Sequence, residues 1–368
     1  MTSERIPFID LRPAEDDAAV RAAIDRVVRR GWFVLGPEVE AFEGEFAAAS
    51  GASYAVGVGN GTDAIALLLR AIGIAPGDEV IVPAITAAYT ALAVIEAGAT
   101  PVFADVDPDT LTLDAAACDA AITPRTAAIV PVHLYGHPAD MTALRAIASR
   151  HALALVEDCC QAHLATYQGV PVGTRNAGGA FSFYPTKNLG ALGDGGAIVT
   201  NDASVAERIR RLRNGGQVDR YVHAEAGCNS RLDDLQAAVL RARLPLLPQW
   251  TARRRMLAAV YRQQMRDEVQ PLIERDPGHV YHLFVVRAHD REALRSYLQA
   301  SGIETLIHYP LALPQQPALA PFARAACPVA AEAAARIVSL PLHPRLTDAA
   351  VERICSTIDA FQKGHIHA

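Results

Sequence analysis

The stretch SYAVGVGNGTDAIALLLRAIG, residues 53–73, reads as a strand, a glycine-rich turn and a helix. Its first part is apolar and β-branched and closes on Gly59 and Asn60. From Thr62 apolar residues recur at helical spacing, and the run stops at Gly73. Outward from this unit the same alternation continues. DEVIVPA (78–84), TPVFADVD (100–107), TAAIVPVHLYG (126–136), LALVEDCCQ (153–161), GGAFSFYP (178–185) and GGAIVTND (195–202) read as strands. TAAYTALAVIEAG (86–98) and MTALRAIASRH (141–151) read as helices between them. Such alternation predicts an α/β fold with a mostly parallel central sheet flanked by helices on both faces. In that architecture ligands collect at the carboxyl ends of the strands.

Composition shifts after LPLLPQWTARRRMLAAVYRQQM (244–265), where Pro245 and Pro248 punctuate a long helical region. Beyond it VYHLFVVRA (280–288) and IETLIHYP (303–310) read as strands, with helices over 291–302 and 347–362. The expected division is a large α/β domain over 1–249, including the N-terminal segment, and a small α+β domain over 250–368. The chain has 368 residues, 51% hydrophobic and 20% charged, with a net charge of -6. An acidic balance argues against a nucleic-acid partner. No apolar run reaches transmembrane length, and the N-terminus MTSERIPFIDL lacks a signal-peptide core. Six scattered cysteines without a CxxC pair read as reduced thiols in a cytoplasmic protein, with no metal site.

Four clusters offer chemistry. GNGTDA (59–64) sits where a helix start presents unpaired amides to an anion; its plain alternative is a turn with Thr62 as N-cap. VEDCCQAH (156–163) puts Glu157 and Asp158 at a strand's carboxyl end, or else at a helix cap. FSFYPTKNLGALGDGG (181–196) places Lys187 before a run of glycines. A phosphate-gripping loop would place its glycines before the lysine. The alternatives for Lys187 are a solvated loop lysine and a nucleophile whose pKa burial lowers. Its flanks are apolar strands, and between Gly169 and Asn201 the other cationic side chain is Arg175. CNSRLDDLQ (228–236) precedes a helix, where Asn229 or Ser230 is the expected cap, and IHYP (307–310) carries His308 and Tyr309. An anion site, a strand-end acid and a lysine together match what pyridoxal 5'-phosphate requires: a phosphate cradle, a partner for the pyridine nitrogen and an amine.

The chain also resembles the DegT/DnrJ/EryC1/StrS family of fold-type I, nucleotide-sugar aminotransferases. The resemblance is carried by IPFIDL, GWFVLGPEVEAFE, NGTDAI, VPVHLYG, VEDCCQAH, SFYPTKNLGALGDGGAIVTND, NSRLDDLQAAVL and SLPLHPRLT, which together run through nearly the whole chain. It implies that Lys187 is the Schiff-base lysine and proton shuttle and that Asp158 pairs with the pyridine nitrogen. It implies that Gln161 contacts the ring near its phenolic oxygen and that Gly61, Thr62 and Ser182 hold the phosphate. Asn229 would reach the phosphate of the neighbouring subunit of a homodimer. Arg231, His308 and Tyr309 would meet the nucleotide sugar across that interface.

TKNLGALGDGG with NSRLD looks most like members that aminate C-3 of a dTDP- or UDP-linked keto sugar with L-glutamate as donor. HYPLALPQQPAL (308–319) is closer to the UDP-2-acetamido-3-keto-glucuronate group. The other readings are a C-4 keto-sugar or cyclitol aminotransferase and, ranked below them, a non-enzymatic regulator. A dehydratase branch with histidine in place of the lysine is disfavoured by Lys187. Three positions depart from the family pattern. Ala87 stands where an aromatic often stacks on the cofactor, so either the nearby Tyr89 stacks from a shifted position or a smaller side chain covers the ring. Cys159 and Cys160 replace the usual alanines. Cys228 replaces a common aromatic or glycine before Asn229.

Overall fold

The computed structural model describes residues 5–265 and 268–366. Its main sheet joins β1 (Tyr54–Val58), β2 (Glu79–Pro83), β3 (Thr100–Ala104), β4 (Thr126–Ile129), β5 (Ala154–Asp158), β8 (Gly178–Ser182) and β9 (Gly196–Thr200). Between β5 and β8 a short hairpin pairs β6 (Thr166–Tyr167) with β7 (Val170–Pro171). The sheet order is β1-β9-β8-β5-β4-β2-β3. β3, β2, β4, β5 and β8 pair in parallel, as the alternation predicts. β9 departs from it, running antiparallel between β8 and β1. The chain leaves β8 at Ser182, turns through the segment carrying Lys187 and comes straight back. No crossover helix separates them, so the pair is a hairpin-like return.

The helix Gly61–Ala71 is buried almost throughout, with Ala64, Ile65, Leu67, Leu68 and Leu69 at 1% exposure or less. A helix apolar all round must be covered all round. It lies between the sheet and the helices Tyr89–Glu96 and Ala203–Leu212. This fixes its N-terminus at the carboxyl edge of the sheet. Two further strands, β10 (Gln217–Asp219) and β11 (Val222–His223), form an exposed hairpin.

A second core surrounds β12 (Val269–Pro271), β13 (Phe284–Ala288) and β14 (Ile337–Leu340), an antiparallel sheet covered by the helices Leu247–Gln264, Arg291–Ala300 and Asp348–Ile366. The helix Leu247–Gln264 runs through residue 250: Leu247 belongs to a core of the first part, Leu257 and Tyr261 to the second. Ile6, from the N-terminal segment, also lies in the second core. The expected strand over 303–310 does not form. Leu306 makes a single bridge to Ser339 and Ile303 one to Ile6, and Pro310 supplies no amide to extend either.

Candidate active site

Three chain-distant turns meet at the carboxyl edge of the main sheet. The first follows β1. The helix Gly61–Ala71 is capped by Asn60, whose side chain accepts the Asp63 N–H at 2.8 Å, so the cap is Asn60 and not Thr62. Asn60 precedes the helix and has extended backbone, as a cap must. Thr62 instead lies half-buried in the first turn, among amides that have no carbonyl one turn back. Gly61 is packed so closely that a Cβ there would lie 2.7 Å from Ser182 Cβ and 2.8 Å from Cys160 Sγ. The helix start, the end of β8 and the turn after β5 therefore touch at one point. Ser182, the last residue of β8, is buried, and its Oγ accepts the Tyr184 N–H at 3.3 Å.

Asp158 ends β5, and strand alternation turns Glu157 to the opposite face. No helix follows, so neither acid is a cap. Asp158 Oδ2 accepts the Thr90 hydroxyl at 2.8 Å, and Oδ1 accepts the Cys160 N–H at 3.0 Å. A carboxylate has about four lone-pair positions, so acceptor capacity remains for a further donor. Glu157 is enclosed by His133 Nε2 at 2.9 Å, the Gly173 N–H at 2.8 Å and Asn176 Nδ2 at 2.7 Å. Burial pushes its pKa up, but these donors outweigh burial and hold it below the usual range. Buried Cys159 joins His133 and Glu157 in a cluster of metal-ligating types. Both nitrogens of His133 are engaged there, because Nδ1 accepts the Ala139 N–H at 3.0 Å. That leaves no lone pair for a metal.

Lys187 lies in the turn between β8 and β9, its N–H bonded to the Tyr184 carbonyl at 2.8 Å. The turn doubles back so tightly that a Cβ at Gly190 would sit 2.5 Å from the Pro185 oxygen. Here the glycine is required by close approach of backbone. Burial lowers the Lys187 pKa, opposed by the nearby Cys160 and Asp158 side chains. Three histidines lie within reach of the Lys187 charge. Burial first, and that charge second, pushes His163 down to about 3 and His308 to about 4, and lowers His282 well below its usual value. All three are neutral imidazoles near pH 7.

The remaining expected residues divide. Gln161 is buried; its Oε1 accepts the Tyr135 N–H at 2.6 Å and its Nε2 donates to Tyr309 Oη at 3.0 Å. His308 Nδ1 bonds Ser339 Oγ at 2.8 Å, and its ring packs on Phe8. These join the Lys187 group within one chain. Asn229 and Arg231 do not: Asn229 is exposed and bridged to Asn214, and Arg231 donates to Asn214 at 3.1 Å. Neither Asn229 nor Ser230 caps the next helix, Asp234–Arg243, whose cap is Asp233. Ser230 instead accepts the Gly59 N–H at 2.9 Å, tying this segment to the first turn. Cys228 donates its N–H to the Leu212 carbonyl and packs at the rim of the main core. Ala87 is half-buried, and Tyr89, 65% exposed, opens the helix Tyr89–Glu96 beside Tyr309.

Sequence reasoning missed Thr90, Tyr135, His163 and His282. Thr90 is next to Tyr89, His163 is two residues past Gln161 and Tyr135 lies inside VPVHLYG, so three of the four stand within or beside quoted motifs; His282 carried no signal of its own.

The donor set fits a phosphorylated pyridine aldehyde: free helix-start amides beside Ser182, spare acceptor capacity on Asp158 and the Lys187 amine. The chain matches the model of the DegT/DnrJ/EryC1/StrS aminotransferase family over residues 14–359. It is 50% identical over 349 residues to dTDP-3-amino-3,4,6-trideoxy-alpha-D-glucose transaminase of Streptomyces venezuelae, covering 93% of this chain and 92% of the relative. It is 44% identical over 359 residues to UDP-N-acetyl-3-dehydro-alpha-D-glucosamine 3-aminotransferase of Acidithiobacillus ferrooxidans, covering 96% and 97%. The crystal structure of S. venezuelae DesV in complex with a ketimine intermediate superposes with a TM-score of 0.94 at 48% identity, covering 98% of this chain and 99% of that one. The chain belongs to the DegT/DnrJ/EryC1/StrS aminotransferase family and is a pyridoxal-phosphate-dependent aminotransferase.

Proposed function

We propose that this enzyme moves the amino group of L-glutamate onto C-3 of a dTDP- or UDP-linked keto sugar, making an amino sugar for polysaccharide or glycosylated-product biosynthesis. Glutamate leaves as 2-oxoglutarate, and the sugar's ketone carbon gains the amine and a hydrogen. The observation that carries this reading is the convergence of Lys187, Asp158 and the Gly61 helix start on one edge of the sheet.

When bound, pyridoxal phosphate supplies the electron sink that makes the donor's α-proton removable. Lys187 Nζ takes that proton and, in the second half of the cycle, delivers one to C-3 of the sugar. A lowered amine pKa suits both tasks, since a base works best with its pKa near the working pH. Asp158 would accept from the pyridine N–H, with Thr90 and the Cys160 amide fixing its orientation. Gly61, Thr62 and Ser182 would hold the phosphate at the positive end of the helix. Gln161, held by Tyr135, would contact the ring near its phenolic oxygen. The neutral histidines around Lys187 add no competing positive charge.

Arg231, His308 and Tyr309 recognise the nucleotide sugar, and Asn229 completes a neighbouring subunit's phosphate site. A homodimer with shared sites is supported by the exposure of Asn229 and by uncovered apolar side chains, among them Trp32, Phe33, Tyr221 and Val222. A cytoplasmic location is supported by six unpaired thiols. Among the described residues no helix is long and apolar enough to cross a membrane. A two-domain division is supported by the separate second core, though the boundary falls inside the helix Leu247–Gln264 and the second core takes in Ile6 of the N-terminal segment. The test is glutamate-dependent amination of a panel of dTDP- and UDP-linked keto sugars with the product position assigned by NMR. Amination at C-4, or of a cyclitol alone, selects the alternative reading.

A further inference from the structure

Tyr135 holds the two sides of the site together. It is buried and adopts a left-handed backbone (φ 59°), followed by Gly136 at φ 91°. That region is uncommon for a residue with a side chain, and it persists where surrounding contacts fix it. Here it splits the residue's hydrogen bonds among three segments. The Tyr135 N–H donates to Gln161 Oε1 at 2.6 Å, while the phenol donates to the His308 carbonyl. The Tyr135 carbonyl accepts the Leu283 N–H at 3.3 Å, and the Gly136 carbonyl accepts the Val280 N–H at 3.0 Å, bracketing His282.

One consequence is directional. Because Gln161 Oε1 is taken by the Tyr135 amide, its Nε2 must donate, and it does so to Tyr309 Oη. The Tyr309 hydroxyl proton is therefore left to donate to some other acceptor. The second consequence is spacing. Gln161 follows β5 of the main sheet, whereas His308 is bonded to Ser339 of β14 in the second sheet. Tyr135 bonds both, one through its backbone and one through its side chain.

The geometry points to Tyr135 as a positioning residue whose phenol fixes the His308–Tyr309 segment against Gln161, and so sets the sugar-accepting side of the site, while its backbone bond to Gln161 does not depend on the hydroxyl. This rests on the reading of the protein as a keto-sugar aminotransferase. It differs from the roles given to Gln161, His308 and Tyr309, since Tyr135 acts through them.

The test is Tyr135→Phe, which keeps the buried ring and removes one hydroxyl. In single-turnover experiments the half-reaction with L-glutamate stays within about twofold of wild type. With the keto sugar, kcat/KM falls about tenfold, the size of one lost hydrogen bond, with most of the change in KM. Hydrogen exchange of the protein alone gives a readout independent of turnover: amides of residues 305–309 exchange faster, while those of 133–137 do not change. Equal losses in both half-reactions, or faster exchange throughout both segments, would show a merely structural role and overturn the proposal. No change in either measurement overturns it too. If the wild type aminates no keto sugar, the broader reading fails, and unchanged exchange over 305–309 still refutes the positioning claim by itself.

Discussion

A single methyl group added at Gly61 tests the cofactor cradle. In Gly61→Ala the new Cβ would fall 2.7 Å from Ser182 Cβ and 2.8 Å from Cys160 Sγ. Carbon atoms rest about 3.5–4.0 Å apart, so the helix start and the end of β8 must separate by about 1 Å. Alanine is the better helix former by about 0.5–1 kcal/mol, while overpacking costs about 1–3 kcal/mol, so the fold loses little. The site loses more, because the displaced groups are those that must converge on one phosphate. We expect the dissociation constant for pyridoxal phosphate to rise at least about tenfold, or about 1.4 kcal/mol. The assay is titration of the cofactor-free protein, followed by quenching of intrinsic fluorescence. Adding Cys160→Ala removes one of the two clashes and should restore part of the affinity. Cofactor binding by Gly61→Ala within twofold of wild type would refute the reasoning.

Further outcomes follow from the same contacts. Asp158→Asn keeps the shape of the site but loses the charge, and turnover should drop about 10³-fold with little change in melting temperature, measured by steady-state assay and calorimetry. Glu38 is buried among Arg26, Arg30 and Arg241, and Glu38→Ala should cost about 2 kcal/mol in urea unfolding, since three guanidinium groups lose a partner while remaining partly solvated. The hydrogen bond from Arg26, and then that from Arg241, holds Glu38 at about 2; at Glu79 burial raises the pKa, but Thr123, Arg324 and Arg125 outweigh it and bring it to about 2. Both values lie below the ordinary 4.5, so this stabilisation is complete above about pH 4.5 and is lost as pH falls towards 2. Unfolding free energies measured from pH 6 to 3 should fall, and Glu38→Gln should flatten that fall. At Gly36 a Cβ would overlap Asp234 Oδ2 and displace the carboxylate that accepts the Val39 N–H at 2.9 Å, so Gly36→Ala should destabilise the fold by about 1–3 kcal/mol in the same assay.

Asp158 drew notice in the sequence because it ends an apolar strand, where parallel sheets gather ligands, and Lys187 because it lies between two apolar strands. Each had a plain alternative, and only their combination with the anion site and the family resemblance decided between the readings. The cap at the first turn was not, because Asn60 and Thr62 are both good capping residues, and only the point where the helix starts decides between them. The direction of β9 was hidden for a similar reason: an apolar run of five residues looks the same whether it returns by a helix or a tight turn. IETLIHYP has the composition of a strand, yet it makes only single bridges because its amides serve two different segments. Thr90, Tyr135 and His282 were illegible because their roles lie in contacts between elements far apart in the chain. Asn229 and Arg231 were singled out in the sequence, but within one chain both meet Asn214 and stay apart from Lys187.

The central claim is amino transfer from glutamate to C-3 of a nucleotide-linked keto sugar through Lys187. The direct measurement is ¹⁵N NMR of the product formed from L-[¹⁵N]glutamate and a dTDP- or UDP-linked 3-keto sugar by the cofactor-loaded protein. The account predicts ¹⁵N on C-3 with the wild type and none with Lys187→Ala. Label on another carbon, or label on C-3 with Lys187→Ala at the wild-type rate, would contradict it.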